Sequence, residues 1–243
     1  MNTGSIDIES FSTTDAMVAE LAKRWIARMS DRPDRPFRVA LSGGRVAARF
    51  QQQAGLLAIQ QPFDWSGIEF FWGDERCVAP DHNDSNFRAA NEALLLPCGV
   101  PKGQIHRLQG ELSPLEGARL ATEELSRFCP INQDGWPVLD LVFLGMGEDG
   151  HVASLFPNTP ASQADSREWV IPVIGPKPPP QRLSLTYGVL AAAKEVWVLA
   201  SGADKGPALA ASLAENGTTP LAQLLRRRGK TLLATEKLLF SAS

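Results

Sequence analysis

The sequence predicts an α/β fold: a mainly parallel open sheet with helices on both faces. Two observations carry that prediction. Short apolar runs with the length and residue types of buried strands, such as Leu139–Leu144 and Glu195–Ala200, alternate with stretches of helical spacing. Several of the runs end in polar turns that contain glycine, and open parallel sheets bind ligands just beyond the carboxyl ends of their strands. The 243 residues fit one domain, 1–243, with room for a small satellite lobe. A chain of that length buries roughly 70–75% of its unfolded surface and needs no disulfide or metal to fold.

Residues Thr13 to Met29 place Met17, Val18, Leu21, Ala22, Trp25 and Ile26 near helical spacing, with Thr13 or Thr14 as cap. A proline turn, Asp31–Pro36, leads into a strand over Phe37–Leu41; Ser42-Gly43-Gly44 ends it, and Arg45–Leu57 reads as a helix. Gly67–Trp72 is another strand, followed by a polar loop from Gly73 to Ser85 and helices over Asn86–Leu95 and Leu115–Arg127. After the strand Leu139–Leu144 and a glycine turn, Ala153–Phe156 resumes an apolar pattern. Trp169–Ile174 is extended, Gly175–Pro180 is too rich in proline to be helical, and Arg182–Thr186 alternates like a strand. Glu195–Ala200 precedes a helix from about Asp204 to Leu213. A short helix over Leu221–Arg226 and a last strand or edge segment over Thr231–Phe240 complete the chain.

Composition narrows the function. The net charge of −3 gives no general attraction to nucleic acid or to an anionic membrane, so basic residues must act locally. The triplet Arg226–Arg228 reads as a solvated helix end. Cys77, Cys98 and Cys129 are odd in number and far apart, which suits structural thiols in a reducing compartment. The N-terminal residues lack the pattern of a signal peptide, and no apolar run approaches a membrane span; a cytoplasmic protein is expected. With three histidines and no HExxH or GxSxG pattern, neither metal catalysis nor a serine-hydrolase triad is indicated.

Four polar clusters stand at strand ends. Ser42-Gly43-Gly44 lies between a strand and a helix, where main-chain N–H groups can cradle phosphate. Asp74-Glu75-Arg76 runs on to Asp84-Ser85-Asn86; Arg76 can hold a phosphate bidentately, and Asp74 can bind a sugar hydroxyl or orient a base. Alternatively the two form an internal ion pair and Asn86 caps a helix. Glu148-Asp149-Gly150-His151 places an imidazole, which titrates near neutrality, beside a carboxylate. Lys205, in the first turn of its helix, opposes the helix dipole and so points to a ligand anion, as does Arg182 after the prolines. His82 lies in the loop near Arg76, and His106 reads as structural or solvent-facing.

Together these segments resemble the 6-phosphogluconolactonase family, relatives of the glucosamine-6-phosphate deaminases. The matching residues are Ser42-Gly43-Gly44, Trp72–Arg76 with Asp84–Phe87, Gly145-Met146-Gly147, Asp149-Gly150-His151, Ala153–Pro157, Arg182–Thr186 and Asp204-Lys205. The chain departs from the family in Arg45-Val46-Ala47, where Ser-Thr-Pro is usual, and in Val152, where Thr is frequent. The resemblance implies a Rossmann-like fold of the sugar-phosphate isomerase type. It also implies hydrolysis of a sugar-phosphate lactone, 6-phospho-D-glucono-1,5-lactone, without cofactor or metal. Catalytic roles then fall to His151 as general base, with Asp149 or Asp74 orienting it. Substrate binding falls to Ser42, Gly43, Gly44, Arg76, Arg182 and Lys205, Arg76 foremost. No nucleic-acid or membrane partner is expected, and the protein should be a monomer or weak homodimer. A deaminase of this kind usually follows the histidine with an Ala-Phe-Asn-Glu-Pro type segment, unlike Ala153–Pro157 here. A non-catalytic sugar-phosphate sensor would need a DNA-binding element for which the chain has no room.

Overall fold

The computed structural model describes residues 5–237 except 33, 61–62, 159 and 161–165. Its main sheet has six strands: β1 (Ile6–Phe11), β2 (Phe37–Leu41), β3 (Ile68–Trp72), β5 (Leu141–Gly145), β8 (Glu195–Ala200) and β9 (Thr231–Glu236). The order is β1-β9-β8-β5-β2-β3, and every adjacent pair is parallel. In β5 the consecutive residues Leu141, Val142, Phe143 and Leu144 are all buried, as they must be when both faces of a parallel sheet are covered.

Helices α1 (Thr14–Ser30) and α2 (Arg45–Gln60) pack together over one face. Their aromatic rings meet the sheet there: Trp25 lies 5.5 Å from Phe50 and 5.6 Å from Phe143, ring centre to ring centre. Truncating the fully buried Trp25 would cost about 3–5 kcal/mol. Thr13 caps α1, its hydroxyl accepting from the Ala16 N–H.

Chain order reverses between β2 and β5. From β2 the chain moves outward to β3, whereas β5 is followed by β8 and β9 on the other side. The loops leaving neighbouring strands β2 and β5 therefore part in opposite directions, opening a crevice at their carboxyl ends. The chain then departs from the predicted loop after Trp72. β4 (Asp74–Arg76) continues from β3 past Gly73 into a second, antiparallel sheet of order β4-β7-β6, with β6 spanning Val170–Ile174 and β7 Gln181–Leu185. Helix α4 (Pro114–Phe128) packs against this sheet.

Other differences from expectation have local causes. β1 falls in residues to which the sequence assigned no element; Asp7 and Glu9 sit on an edge strand, where charge is tolerated. The predicted helix over Asn86–Leu95 is α3 (Asn86–Ala90) followed by a π-helical turn over Asn91–Leu95. Ser85, rather than Asn86, caps it by accepting from the Arg88 N–H at 3.1 Å. Tyr187–Ala192, which the sequence left unassigned, is helix α5. The final helices are α6 (Gly206–Leu213) and α7 (Pro220–Arg227), and the proposed strand tail over 238–240 lies outside the described residues.

Arg228 is a clear correction. It is 4% exposed, not solvated, and its guanidinium donates to the carbonyls of Leu190, Ala193 and Lys230 and to Thr231 Oγ1. Burial pushes its pKa down to about 10.

Candidate active site

A cleft of about 490 Å³ opens at the crevice between the β2 and β5 loops. Ser42, Gly43, Gly44, Asp74, Arg76, Asp149, His151, Arg182 and Lys205 all line it, so the four polar clusters converge on one space. Its wall carries five cations (Arg45, Arg76, Lys177, Arg182, Lys205) and three carboxylates (Asp74, Glu148, Asp149) in a chain whose net charge is −3. The cleft is thus locally positive, as an anionic ligand requires.

The turn after β5 positions the histidine. Gly147 N–H donates to the His151 carbonyl at 2.9 Å, folding the chain back on itself. A Cβ on Gly147 would sit 2.0 Å from His151 Nδ1, so glycine is required for the ring to lie where it does. His151 Nδ1 is 2.6 Å from Asp149 Oδ1, and the His151 N–H donates to the same oxygen at 3.1 Å. Burial pulls the Asp149 carboxyl upward, but its bonds to His151 outweigh that and hold it below the ordinary carboxylate range. Phe156 packs on the imidazole, 4.6 Å between ring centres. No group among the described residues bonds Nε2. Residues 151–158 form no helix. Val152 and Leu155 bridge a tight turn in which Ala153 adopts φ 49°. For alanine this left-handed conformation costs about 1–2 kcal/mol.

That turn brings Ser154 to the second carboxylate. Asp74, 6% exposed, accepts from Ser154 Oγ at 2.7 Å and from Asn86 Nδ2 at 3.3 Å. Of the two carboxylates considered for orienting His151, Asp149 makes the contact. The sequence offered Asn86 as a helix cap and Ser154 only within the matching segment Ala153–Pro157; neither was assigned to the site, because only the fold brings them beside Asp74.

On the far wall, β4 and β7 pair Arg76 with Arg182 in register. Arg76 Nη1 donates to the Asp84 carbonyl at 2.7 Å, and its buried Nε has no partner among the described residues. An Arg76–Asp74 ion pair is not formed among them. Arg182, 8% exposed, donates through Nε to Pro179 O and through Nη2 to Lys177 O, tying down the proline loop. Burial, and then the neighbouring Arg76 charge, push its pKa down. Two guanidiniums in adjacent strands repel each other until an anion comes between them.

Ser42 Oγ accepts from Gly145 N–H at 3.3 Å and so ties the β2 loop to the β5 loop. No acidic residue occupies the first turn of α2, and its first three residues, Arg45, Val46 and Ala47, line the cleft beside Gly43 and Gly44. Lys205 is the last residue of a 3₁₀ turn, just ahead of α6 rather than inside its first turn, and it lies 3.3 Å from Asp204. His82 is exposed and stands outside the cleft. His106 is buried rather than solvent-facing, bonded to both Glu69 and Glu124. Among the described residues no group of three or more His, Cys, Asp or Glu is arranged to hold a metal ion, and no helix is long and apolar enough to cross a membrane.

The model of the family described as "Glucosamine-6-phosphate isomerases/6-phosphogluconolactonase" matches residues 12–233. The chain belongs to that family. The 6-phosphogluconolactonase of Mycobacterium tuberculosis is 36% identical over 217 residues, 86% of each chain. The crystal structure of devB protein superimposes with a TM-score of 0.87 at 31% identity, covering 98% of this chain and 99% of the other. The 6-phosphogluconolactonase of Trypanosoma brucei gives a TM-score of 0.86 at 25% identity, covering 99% and 100%. Family membership accounts for the parallel sheet with its flanking helices, a Rossmann-like fold shared across these structures.

Proposed function

We propose that this protein hydrolyses 6-phospho-D-glucono-1,5-lactone to 6-phospho-D-gluconate, with water activated by His151. The observation that carries the reading is the His151–Asp149 pair at 2.6 Å, in the same cleft as the Arg76–Arg182 pair. The named relatives point to the same reaction.

With Nδ1–H donated to Asp149, the imidazole presents the Nε2 lone pair to a water molecule. The water oxygen attacks C1 of the lactone while Nε2 takes its proton. Asp149 stabilises the imidazolium, its own carboxyl being held ionised. As the tetrahedral intermediate collapses, the C1–ring-oxygen bond breaks and the proton on Nε2 passes to the leaving ring oxygen. The products are a carboxylic acid and a hydroxyl group, and the imidazole returns to its neutral state. Asp74, fixed by Ser154 and Asn86, accepts a hydrogen bond from a sugar hydroxyl. Arg76 and Arg182 hold the phosphate, with Lys205 and the Ser42-Gly43-Gly44 loop completing the positive wall. The reading involves no metal, nucleic acid or membrane, and takes the enzyme to be a cytoplasmic monomer or weak homodimer.

The test is turnover of freshly made lactone at neutral pH, with 6-phosphogluconate dehydrogenase reporting product and spontaneous opening subtracted. Hydrolysis well above background is expected. Background rate alone, with ammonia release from glucosamine 6-phosphate, would replace this reading with the deaminase.

A further inference from the structure

The buried carboxylate behind the cleft wall has no part in the reaction described above. Glu75 lies between Asp74 and Arg76 in β4 and is 3% exposed. Its Oε1 accepts from the N–H groups of Arg76 and Asn86, both at 2.7 Å. Its Oε2 accepts from the Phe87 N–H at 2.7 Å and from Ser85 Oγ at 3.1 Å. All four hydrogen-bond partners are main-chain N–H groups or a hydroxyl, and none is a cation. A carboxylate buried this way is held only by donors aimed at it, so the donors are fixed in turn.

Those donors belong to the substrate wall. One is the main chain of Arg76. Another is that of Asn86, whose Nδ2 donates to the Asp74 carbonyl at 2.9 Å as well as to its carboxylate. Asn86 also fills the space beside Gly43: a Cβ there would stand 1.8 Å from Asn86 Oδ1. Glu75 thus ties the main chain of Arg76 to that of Asn86, and the Asn86 side chain in turn holds Asp74 and packs against Gly43. The His151 turn comes from β5 and makes no contact with Glu75 among the described residues.

We propose that Glu75 is a positioning residue for substrate recognition, setting Arg76 directly and Asp74 through Asn86 without touching substrate itself. The inference rests on the lactonase reading for its kinetics, though not for its effect on anion binding. In Glu75→Gln one oxygen becomes an NH₂ group, which cannot accept from a main-chain N–H, so at least one of the bonds to Arg76, Asn86 or Phe87 is lost and the start of α3 is disturbed. The expected result is a rise in KM for the phosphorylated lactone of about tenfold, with kcat within about threefold of wild type. Inorganic phosphate, titrated calorimetrically, should bind about tenfold more weakly. Hydrolysis of unphosphorylated glucono-1,5-lactone should suffer less than that of the phosphorylated substrate.

Wild type is run beside the variant. Absence of lactone turnover in wild type would remove the proposed function, and the phosphate titration would still decide the role of Glu75. A folded Glu75→Gln protein with unchanged KM and phosphate affinity would overturn the proposal. Equal losses in kcat for both lactones would also overturn it, since that pattern belongs to a general structural defect. If Glu75→Gln fails to fold, Ser85→Ala removes one of the four donors and must show the same KM-selective loss, about two- to threefold; an unchanged KM there counts against the proposal.

Discussion

His106 and His151 both bind carboxylates at short distance, yet the molecule uses them differently. His106 has Glu69 on Nε2 at 2.8 Å and Glu124 on Nδ1 at 2.9 Å. Its ring stacks on Phe71, 4.7 Å between centres, and abuts Phe128 at 4.0 Å. Both nitrogens are committed and the side chain is buried, so no substrate proton can reach it. His151 commits one nitrogen to Asp149 and stands in the wall of the cleft. The lesson is that a carboxylate neighbour does not by itself mark a catalytic histidine. The deciding feature is a second nitrogen that faces a space large enough for substrate.

The largest effect should separate the two residues. His151→Ala should lower kcat by about 10²–10⁴, the usual contribution of a general base. His106→Phe should leave kcat within about twofold, and steady-state assays of the two variants side by side check both. A comparable loss in both would erase the distinction. Asp149→Asn comes next. The amide can no longer hold the ring with the same charge and geometry, and such misplacement lowers kcat by roughly tenfold to a hundredfold.

His106→Phe should show its effect in unfolding instead. Glu69 and Glu124 lose their donor while the aromatic stack survives, which destabilises the fold by about 1–3 kcal/mol in denaturant titration. The smallest effect concerns pH. The folded Asp149 carboxyl titrates below its ordinary value of 3.8, so it binds protons less readily folded than unfolded. Its stabilising contribution is therefore complete above about pH 4 and is lost as pH falls through the depressed value. The gap in Tm between wild type and Asp149→Asn should narrow below that pH. A gap that widens on acidification would mean the carboxyl is not held ionised by His151.

The two histidines also show which features were legible in the sequence. The His151 turn announced itself, since glycines and acids interrupt an apolar run at the end of a strand, and the Asp149 partner is two residues away. His106 gave no such signal because Glu69 and Glu124 lie 37 and 18 residues off, and only β3 and α4 bring them together. The same reason explains Asn86 and Ser154, whose bonds to Asp74 span 12 and 80 residues. The alternation of strands and helices predicted the parallel sheet, and Trp169–Ile174 and Arg182–Thr186 were legible as the strands that became β6 and β7, but their pairing with β4 in a second sheet was hidden. β4 has three residues and no apolar run, and its strand character comes from pairing with β7. Arg228 was misread for a related cause: a helix-end arginine looks solvated unless the carbonyls it will meet, near residues 190–193, are known to be close.

The most direct test is the pH dependence of kcat/KM for lactone hydrolysis by wild type and His151→Ala, with spontaneous opening subtracted at each pH. Wild type should lose activity on acidification through a single titrating group, and the residual activity of the variant should be flat across the same range. The same acidic limb in the variant would assign the base to another residue and contradict the contrast between His151 and His106.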